Sequence, residues 1–454
     1  MRLYELLRRF LRFVAEVFFR QVEVVGQEHV PGEGEGPVVF AGNHPNSLID
    51  PVLIIAFSGR VVHFAAKDVL FKSALLRTML SGLGAVPVAR KADHGDGASN
   101  DQAFAALHDV LRAGRAMGIF PEGCSHDEAH LVRLKTGAAR IALGAAAELP
   151  EGAPPIRIVP CGLTYVRRKR FRSRALLQFG PPIVIDATWL AGWRDDERNT
   201  VRRLTDTIDD AIRALTVNAE DWTTLRVLDG VRRLYQPSGI RIEERVELAR
   251  RFSTVYPTVK DAPEVRQLWD RVSSYQTRLE DVGLTDAELL RPRHALHGLW
   301  RLLRHVLLAL VWFPLAVPGL IIHAPVGILA TIAGATLTPR KDVLATTKLV
   351  VGLLGALVLD LALVVLAGWT AGPLGVLAAL VLLPLTGLAT LRVVDRFGAI
   401  RRWGRILGRL WRLPDEVAAL RQERAALEQE VVRAVDRFKP ADMVALFPRE
   451  ARAP

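Results

Sequence analysis

A chain of 454 residues is too long for one average domain and fits two or three folding units. Half of its residues are hydrophobic while about a quarter are charged, which for a chain of this size requires the apolar residues to be unevenly spread. The net charge of +12 calls for a polyanionic partner (nucleic acid, an anionic bilayer or a phosphorylated substrate), and two cysteines, Cys124 and Cys161, exclude a disulfide framework and fit a reducing compartment.

Taken in chain order, the first 21 residues place Leu3, Leu6, Leu7, Phe10, Leu11, Val14, Val17 and Phe18 at helical spacing. Arg2, Glu5, Arg8, Arg9, Arg12, Glu16 and Arg20 interrupt any signal-peptide core, so residues 1–21 read as an amphipathic helix. It either lies in a membrane surface or packs on the domain that follows, and the two are compatible. Residues 22–215 alternate short apolar runs with helical stretches, the pattern of an α/β domain. Strands are expected at 37–41, 61–65, 85–89, 116–120, 156–160 and 175–179, and helices at 51–57, 72–81, 100–113 and 136–149.

Residues 216–297 are polar and periodic, a helical connector with no evident chemistry. The composition then changes. No Asp, Glu, Lys or Arg lies between Arg304 and Arg340, and only Asp360 lies between Lys348 and Arg392. Residues 298–395 therefore read as transmembrane or re-entrant hairpins. The first stretch is expected to break around Pro314, Pro318, His323 and Pro325, and the second to turn near Gly368 to Pro373. Basic flanks at 291–304, 340–348 and 392–412 are expected on the cytoplasmic side, which puts the chain in an inner or cytoplasmic membrane with its α/β domain facing the cytoplasm. Asp360 is expected in a buried structural contact or a water-accessible position. Residues 396–454 form a basic helical tail, with Val417, Leu420, Leu427 and Val431 at heptad-like spacing interrupted by Arg424.

The sharpest motif is Ala41-Gly-Asn-His-Pro-Asn-Ser-Leu-Ile-Asp50-Pro51, directly after an expected strand. Gly84-Ala-Val-Pro-Val-Ala-Arg90 follows, then Gly118-Ile-Phe-Pro-Glu-Gly123 with Ser125 beyond, Leu134-Lys-Thr-Gly137, and Ile158-Val-Pro160. This ordered series, from Val38 to Pro182, resembles the signature of the glycerophospholipid acyltransferase family. That family includes the glycerol-3-phosphate and 1-acylglycerol-3-phosphate acyltransferases. One departure stands out: five residues, from Pro45 to Ile49, separate the His from the Asp where most members have four. This spacing looks like the branch containing fungal-type glycerol-3-phosphate and dihydroxyacetone-phosphate acyltransferases. The acceptor stays open between glycerol-3-phosphate, 1-acylglycerol-3-phosphate and another lysolipid.

The chemistry agrees with the resemblance. A neutral hydroxyl is a poor nucleophile, and an imidazole titrating near neutrality can take its proton. His44 is the expected base, and Asp50 the carboxylate that fixes its tautomer and stabilises the imidazolium. Pro45 disfavours helix at His44, while Asp50-Pro51 is a helix-start signal, so His44 is expected in a loop curling over a helix that Asp50 caps. The resemblance implies that Arg90 clamps the acceptor phosphate and that Glu122 and Gly123 bind the acceptor's glycerol-phosphate part or order the site. Lys135 is a second candidate phosphate contact. The acyl donor is acyl-CoA or acyl-carrier protein, no other cofactor is called for, and the basic flanks suit anionic membrane lipids better than nucleic acid. His126 and His130 are four apart, but Asp127 stands where a zinc hydrolase has its Glu, so no metal site is assigned. The competing reading is a membrane scaffold that keeps an acyltransferase-like fold without catalysis.

Overall fold

In the computed structural model, residues 2–72, 74–88, 101–237, 240–290, 295–338 and 340–440 are described. The chain forms two compact units, Met1–Asn218 with Arg340–Thr346, and Ala219–Pro339 with Thr347–Pro454.

The first unit opens with α1 (Arg2–Phe18) and β1 (Phe19–Val25). The expected helix over 1–21 therefore ends three residues early. Phe19 to Val25 pairs in parallel with β7 (Ser173–Phe179), and that ladder outweighs the helical period. Tyr4, Val14, Ala15 and Phe18 of α1 are buried, and the Tyr4 hydroxyl accepts from Val62 N at 2.8 Å, while Leu3, Leu6 and Phe13 stay exposed. Both a packed face and an exposed apolar one are present.

Next come β2 (Val38–Gly42), α2 (Ile49–Phe57), β3 (Val62–Lys67), α3 (Ala74–Gly82), β4 (Val86–Val88), α4 (Asp101–Arg112) and β5 (Ala116–Ile119). Then follow α5 (Gly137–Ala147), β6 (Arg157–Tyr165), β7, β8 (Ile183–Val184), α6 (Ala187–Asp195) and α7 (Glu197–Arg213). The sheet order is β1-β7-β6-β2-β5-β3-β4, with β8 paired to β6. Strands β6, β2, β5, β3 and β4 run parallel, and β7 is antiparallel to β6. This is the expected α/β class. The parallel strands are covered on both faces, so β2 reads as an unbroken apolar run, and every residue of it is buried. Helix α5 buries Ala138, Ala139, Ile141, Ala142 and Leu143 against the sheet's core together with Leu204 and Ile208 of α7. Small residues on α5 allow close helix–sheet approach. Buried Arg60 donates to the carbonyls of Pro31, Gly32 and Gly36 at 2.8, 2.5 and 3.1 Å, which closes the Gly- and Glu-rich loop before β2.

The second unit is helical. It contains α8 (Trp222–Tyr235), α9 (Ile242–Val259), α10 (Pro263–Val282), α11 (Asp286–Leu289), α12 (Ala295–Thr336), α13 (Leu344–Arg412) from Thr347 onward, and α14 (Pro414–Phe438). Val417, Leu420, Leu427 and Val431 of α14 are buried with Val227, Val272, Tyr275 and Leu279, so the heptad-like stripe is a packing face of this unit. Arg424, the interruption, is also buried and pairs with Asp286 at 3.0 Å.

Gly298–Thr336 and Leu344–Arg412 are long and apolar enough to cross a membrane. Their internal breaks differ from expectation. Helix α12 runs unbroken through Pro314, Pro318 and Pro325. In apolar surroundings a break would forfeit a whole turn of backbone hydrogen bonds, more than the single bond each proline removes. Helix α13 does break, at Gly372, whose φ of 60° and ψ of −152° suit glycine alone. Asp360 accepts from His323 Nε2 of α12 at 3.1 Å, a structural contact between the two apolar helices.

Candidate active site

Strand β2 lies between β5 and β6, with Ala41 opposite both Ile119 and Pro160. Parallel alignment brings the loops leaving all three strands to one edge, the edge where open α/β sheets bind ligands. Asn43, just past β2, locks the register there: its Nδ2 donates to Leu163 O at 3.1 Å and its Oδ1 accepts from Leu163 N at 2.7 Å. His44 follows in the loop.

Asp50 Oδ2 accepts from His44 Nδ1 at 2.8 Å and from Asn46 N at 2.7 Å, and Asp50 Oδ1 accepts from the Tyr165 hydroxyl at 2.5 Å. The aspartate is fully buried and the histidine side chain is 15% exposed. A carboxylate only accepts, so Nδ1 carries the proton and Nε2 is the ring's basic nitrogen. Burial, then the charge of Asp50, pushes the Tyr165 phenol well above its ordinary pKa, so it remains a donor. Asp50 does not cap α2. The helix begins at Ile49, Leu48 holds the N-cap position without a side-chain bond, and Asp50 sits in the first turn. Three donors outside the helix take the lone pairs that capping requires.

The loop is strained. Ser47 has φ 48°, in the left-handed region that costs a non-glycine residue about 1–3 kcal/mol. Asn46, 1% exposed, buries its side-chain amide, which finds no hydrogen-bond partner among the described residues. Above it the His44 ring stacks on Phe120, with centroids 4.0 Å apart and planes 6° from parallel, and Phe120 stacks in turn on Phe64.

Glu122, 2% exposed, is occupied on both oxygens. Oε1 accepts from His44 N at 2.6 Å, and Oε2 accepts from Val132 N at 3.1 Å and from the His126 ring. It therefore holds the chain around His44. His126 N in turn donates to His44 O at 3.3 Å. Gly123 has φ 76°, and a Cβ there would fall 2.5 Å from Lys135 Nζ, so the lysine side chain lies across the glycine. Arg90 lies outside the described residues.

Several residues of this site escaped the sequence reading. Tyr165 ends a strand read as stopping at Pro160, and a tyrosine at a strand end carries no signal by itself. Arg168 donates to Pro45 O at 2.8 Å and pairs with Asp127, contacts that span the unit and leave no local pattern. Asn43 and Phe120 stand inside the quoted motifs and were the ones within reach.

Residues 21–164 match the family model described as Acyltransferase, and residues 227–443 match that of the glycerol-3-phosphate acyltransferase 2 C-terminal domain. The chain is 36% identical over 277 residues to glycerol-3-phosphate O-acyltransferase 2 of Saccharomyces cerevisiae, covering 57% of this chain and 37% of that protein. It is 33% identical over 261 residues to glycerol-3-phosphate O-acyltransferase 1 of the same yeast, covering 54% and 34% respectively. The chain thus spans about a third of the length of these curated relatives. A crystal structure of the 1-acyl-sn-glycerophosphate acyltransferase of Thermotoga maritima aligns over 46% of this chain and 80% of its own at 18% identity; its TM-score of 0.33 adds nothing to the assignment. The two matched regions and the yeast relatives agree: this chain belongs to the glycerophospholipid acyltransferase family.

Proposed function

We propose that the protein transfers a fatty acyl group from a thioester, acyl-CoA or acyl-carrier protein, to a hydroxyl of glycerol-3-phosphate. The observation that carries this reading is His44 Nδ1 at 2.8 Å from a fully buried Asp50. With Nδ1 bonded to the carboxylate, Nε2 takes the acceptor hydroxyl's proton as the oxygen attacks the thioester carbonyl. The collapsing intermediate expels the thiolate, to which the imidazolium returns the proton. Asp50 stabilises the imidazolium, and Tyr165 and Asn46 N keep the carboxylate aimed. A base so placed contributes roughly 10²–10⁴-fold.

Glu122 orders the His44 loop. Arg90 keeps its assignment to the acceptor phosphate on the motif alone, and Lys135, lying across Gly123, is the second phosphate contact. Glycerol-3-phosphate is preferred to its 1-acyl derivative because both yeast relatives carry that substrate in their names. The apolar helices hold the protein in a membrane, with the Arg340–Thr346 turn on the side of the α/β unit that contains it.

The test uses purified full-length protein in detergent with labelled acyl-CoA or acyl-carrier protein and a panel of acceptors, products being resolved by chromatography. Transfer to glycerol-3-phosphate that is lost in His44→Ala supports the reading. No transfer to any acceptor leaves the scaffold reading in its place, and transfer undiminished in His44→Ala overturns the role given to His44.

A further inference from the structure

The turn between the two apolar helices is part of the α/β unit: Arg340–Thr346 belongs to Met1–Asn218 by its contacts, although it lies far along the chain. Within it Asp342 is 3% exposed and Ala345 is fully buried. Asp342 Oδ2 accepts from Ser125 Oγ at 2.6 Å. Arg340 closes the cluster, its Nη2 donating to Asp342 Oδ2 at 2.7 Å and to the carbonyl of Ser125 at 2.5 Å. The Thr346 hydroxyl donates to the carbonyl of Asn46 at 3.4 Å, a long bond from the same turn.

These contacts land on two loops. Ser125 lies between Glu122, which holds the His44 amide, and His126, whose amide donates to the His44 carbonyl. Asn46 lies in the strained segment between His44 and Asp50, next to Ser47 at φ 48°. Strain of this kind persists only where the surroundings over-determine the conformation. Holds on this segment include Glu122 on His44 N, Arg168 on Pro45 O, Asp50 on Asn46 N, Ile49 N on Asn46 O at 3.1 Å and, on that same oxygen, Thr346. The turn supplies the last of these directly, and through Ser125 it braces the loop that supplies the first.

We propose that the Arg340–Thr346 turn is a positioning element of the acyl-transfer site, with Asp342 as its key positioning residue and Ser125 as the contact through which it acts. The role rests on the acyltransferase reading above. It makes the segment between the apolar helices necessary for the geometry of the dyad, although none of its residues touches the reacting atoms. A misplacement of about 1 Å in such a dyad can cost on the order of 10²-fold in rate.

The test is a double-mutant cycle in the full-length protein, with Asp342→Ala, Ser125→Ala and the double variant. Initial rates are accompanied by hydrogen exchange of the peptides spanning residues 43–50 and 122–126. The proposal expects kcat to fall about 10- to 100-fold in each single variant with KM for both substrates unchanged. The double variant should lose no more than the worse single, and Ser125→Thr, which keeps the hydroxyl, should recover most of the rate. Exchange should rise in both peptides in Asp342→Ala, a readout that stands even if the wild type transfers no acyl group and the acyltransferase reading fails. Thr346→Val, which keeps shape and packing, gives a milder form of the same loss if Asp342→Ala does not fold. Unchanged kcat and exchange, strict additivity, or a raised KM at constant kcat each overturns the proposal.

Discussion

Each unit of this chain buries a carboxylate that accepts a hydrogen bond from a tyrosine, and the third partner separates them. In the α/β unit Asp50 takes the Tyr165 hydroxyl at 2.5 Å and His44 Nδ1 at 2.8 Å. In the helical unit Asp286 takes the Tyr275 hydroxyl at 2.8 Å and Arg424 Nε at 3.0 Å. Arg424 is a permanent cation, so the charge of Asp286 is neutralised at all times and the cluster has nothing further to offer a reaction. His44 becomes a cation only on taking a proton. The attraction of Asp50 for it is therefore strongest after proton transfer has begun, which is the condition for lowering a barrier rather than merely stabilising a fold. The same acid–tyrosine pair serves packing or chemistry according to whether its cation is fixed or made during turnover.

Removing the titratable partner is the strongest way to break this comparison. His44→Ala is expected to reduce kcat by about 10²–10⁴-fold. Its thermal unfolding midpoint should stay near wild type, since the ring is not a core residue. Asp50→Asn comes next, at about 10²-fold or more, because a carboxamide can hold the wrong tautomer. Both are read from initial rates of labelled acyl transfer at saturating substrate. Wild-type rates in Asp50→Asn would place Asp50 with Asp286 as a packing residue.

Tyr165→Phe sharpens the comparison on a smaller scale. A hydrogen bond to a charged group is worth about 1.5–3 kcal/mol, so losing one of three donors to Asp50 is expected to lower kcat by about 10-fold. The same tyrosine gives a pH prediction. Its folded pKa is raised by burial above the ordinary 10.0, so above that pH the unfolded chain has released a proton that the folded one retains. Stability is unaffected below pH 10 and falls as pH rises beyond it. Tyr4, pushed up to about 12 by burial, adds to the fall, and Tyr165→Phe should flatten it in part. Unfolding midpoints followed across this alkaline range test the point; a wild-type profile that stays level would contradict it.

The legible parts of the molecule were those set by local pattern. Strands such as β2 read as apolar runs because a parallel sheet buries both faces, and the turn at Gly372 follows from Gly and Pro together. The order of the motifs brought out His44, Asp50 and Glu122, and the Asp-Pro pair placed the helix start to within two residues. What pattern did not reveal depends on distant partners. β1 continues the helical period of α1 and becomes a strand only through Val22 opposite Ala175. The oxygens of Glu122 are assigned by amides at 44 and 132, and Asp342 by a serine two hundred residues earlier in the chain. Prolines in α12 predicted breaks because propensity is calibrated where a freed carbonyl finds water, and an apolar setting reverses that choice.

Arg424→Ala is the variant with the smallest expected effect on turnover, and it separates the two clusters most cleanly. It leaves Asp286 buried with only the tyrosine, and breaking a buried pair in this way typically destabilises by about 3–5 kcal/mol. The unfolding midpoint should therefore drop, while kcat of the folded protein, measured well below that midpoint, stays within about two-fold of wild type. Replacing Arg424 and Asp286 together by Leu and Asn should restore much of the stability, because an uncompensated charge costs more than an absent pair. A loss of kcat in Arg424→Ala at full folding would mean that the helical cluster also feeds the reaction, and that a fixed cation beside an acid–tyrosine pair is no mark of a purely structural role.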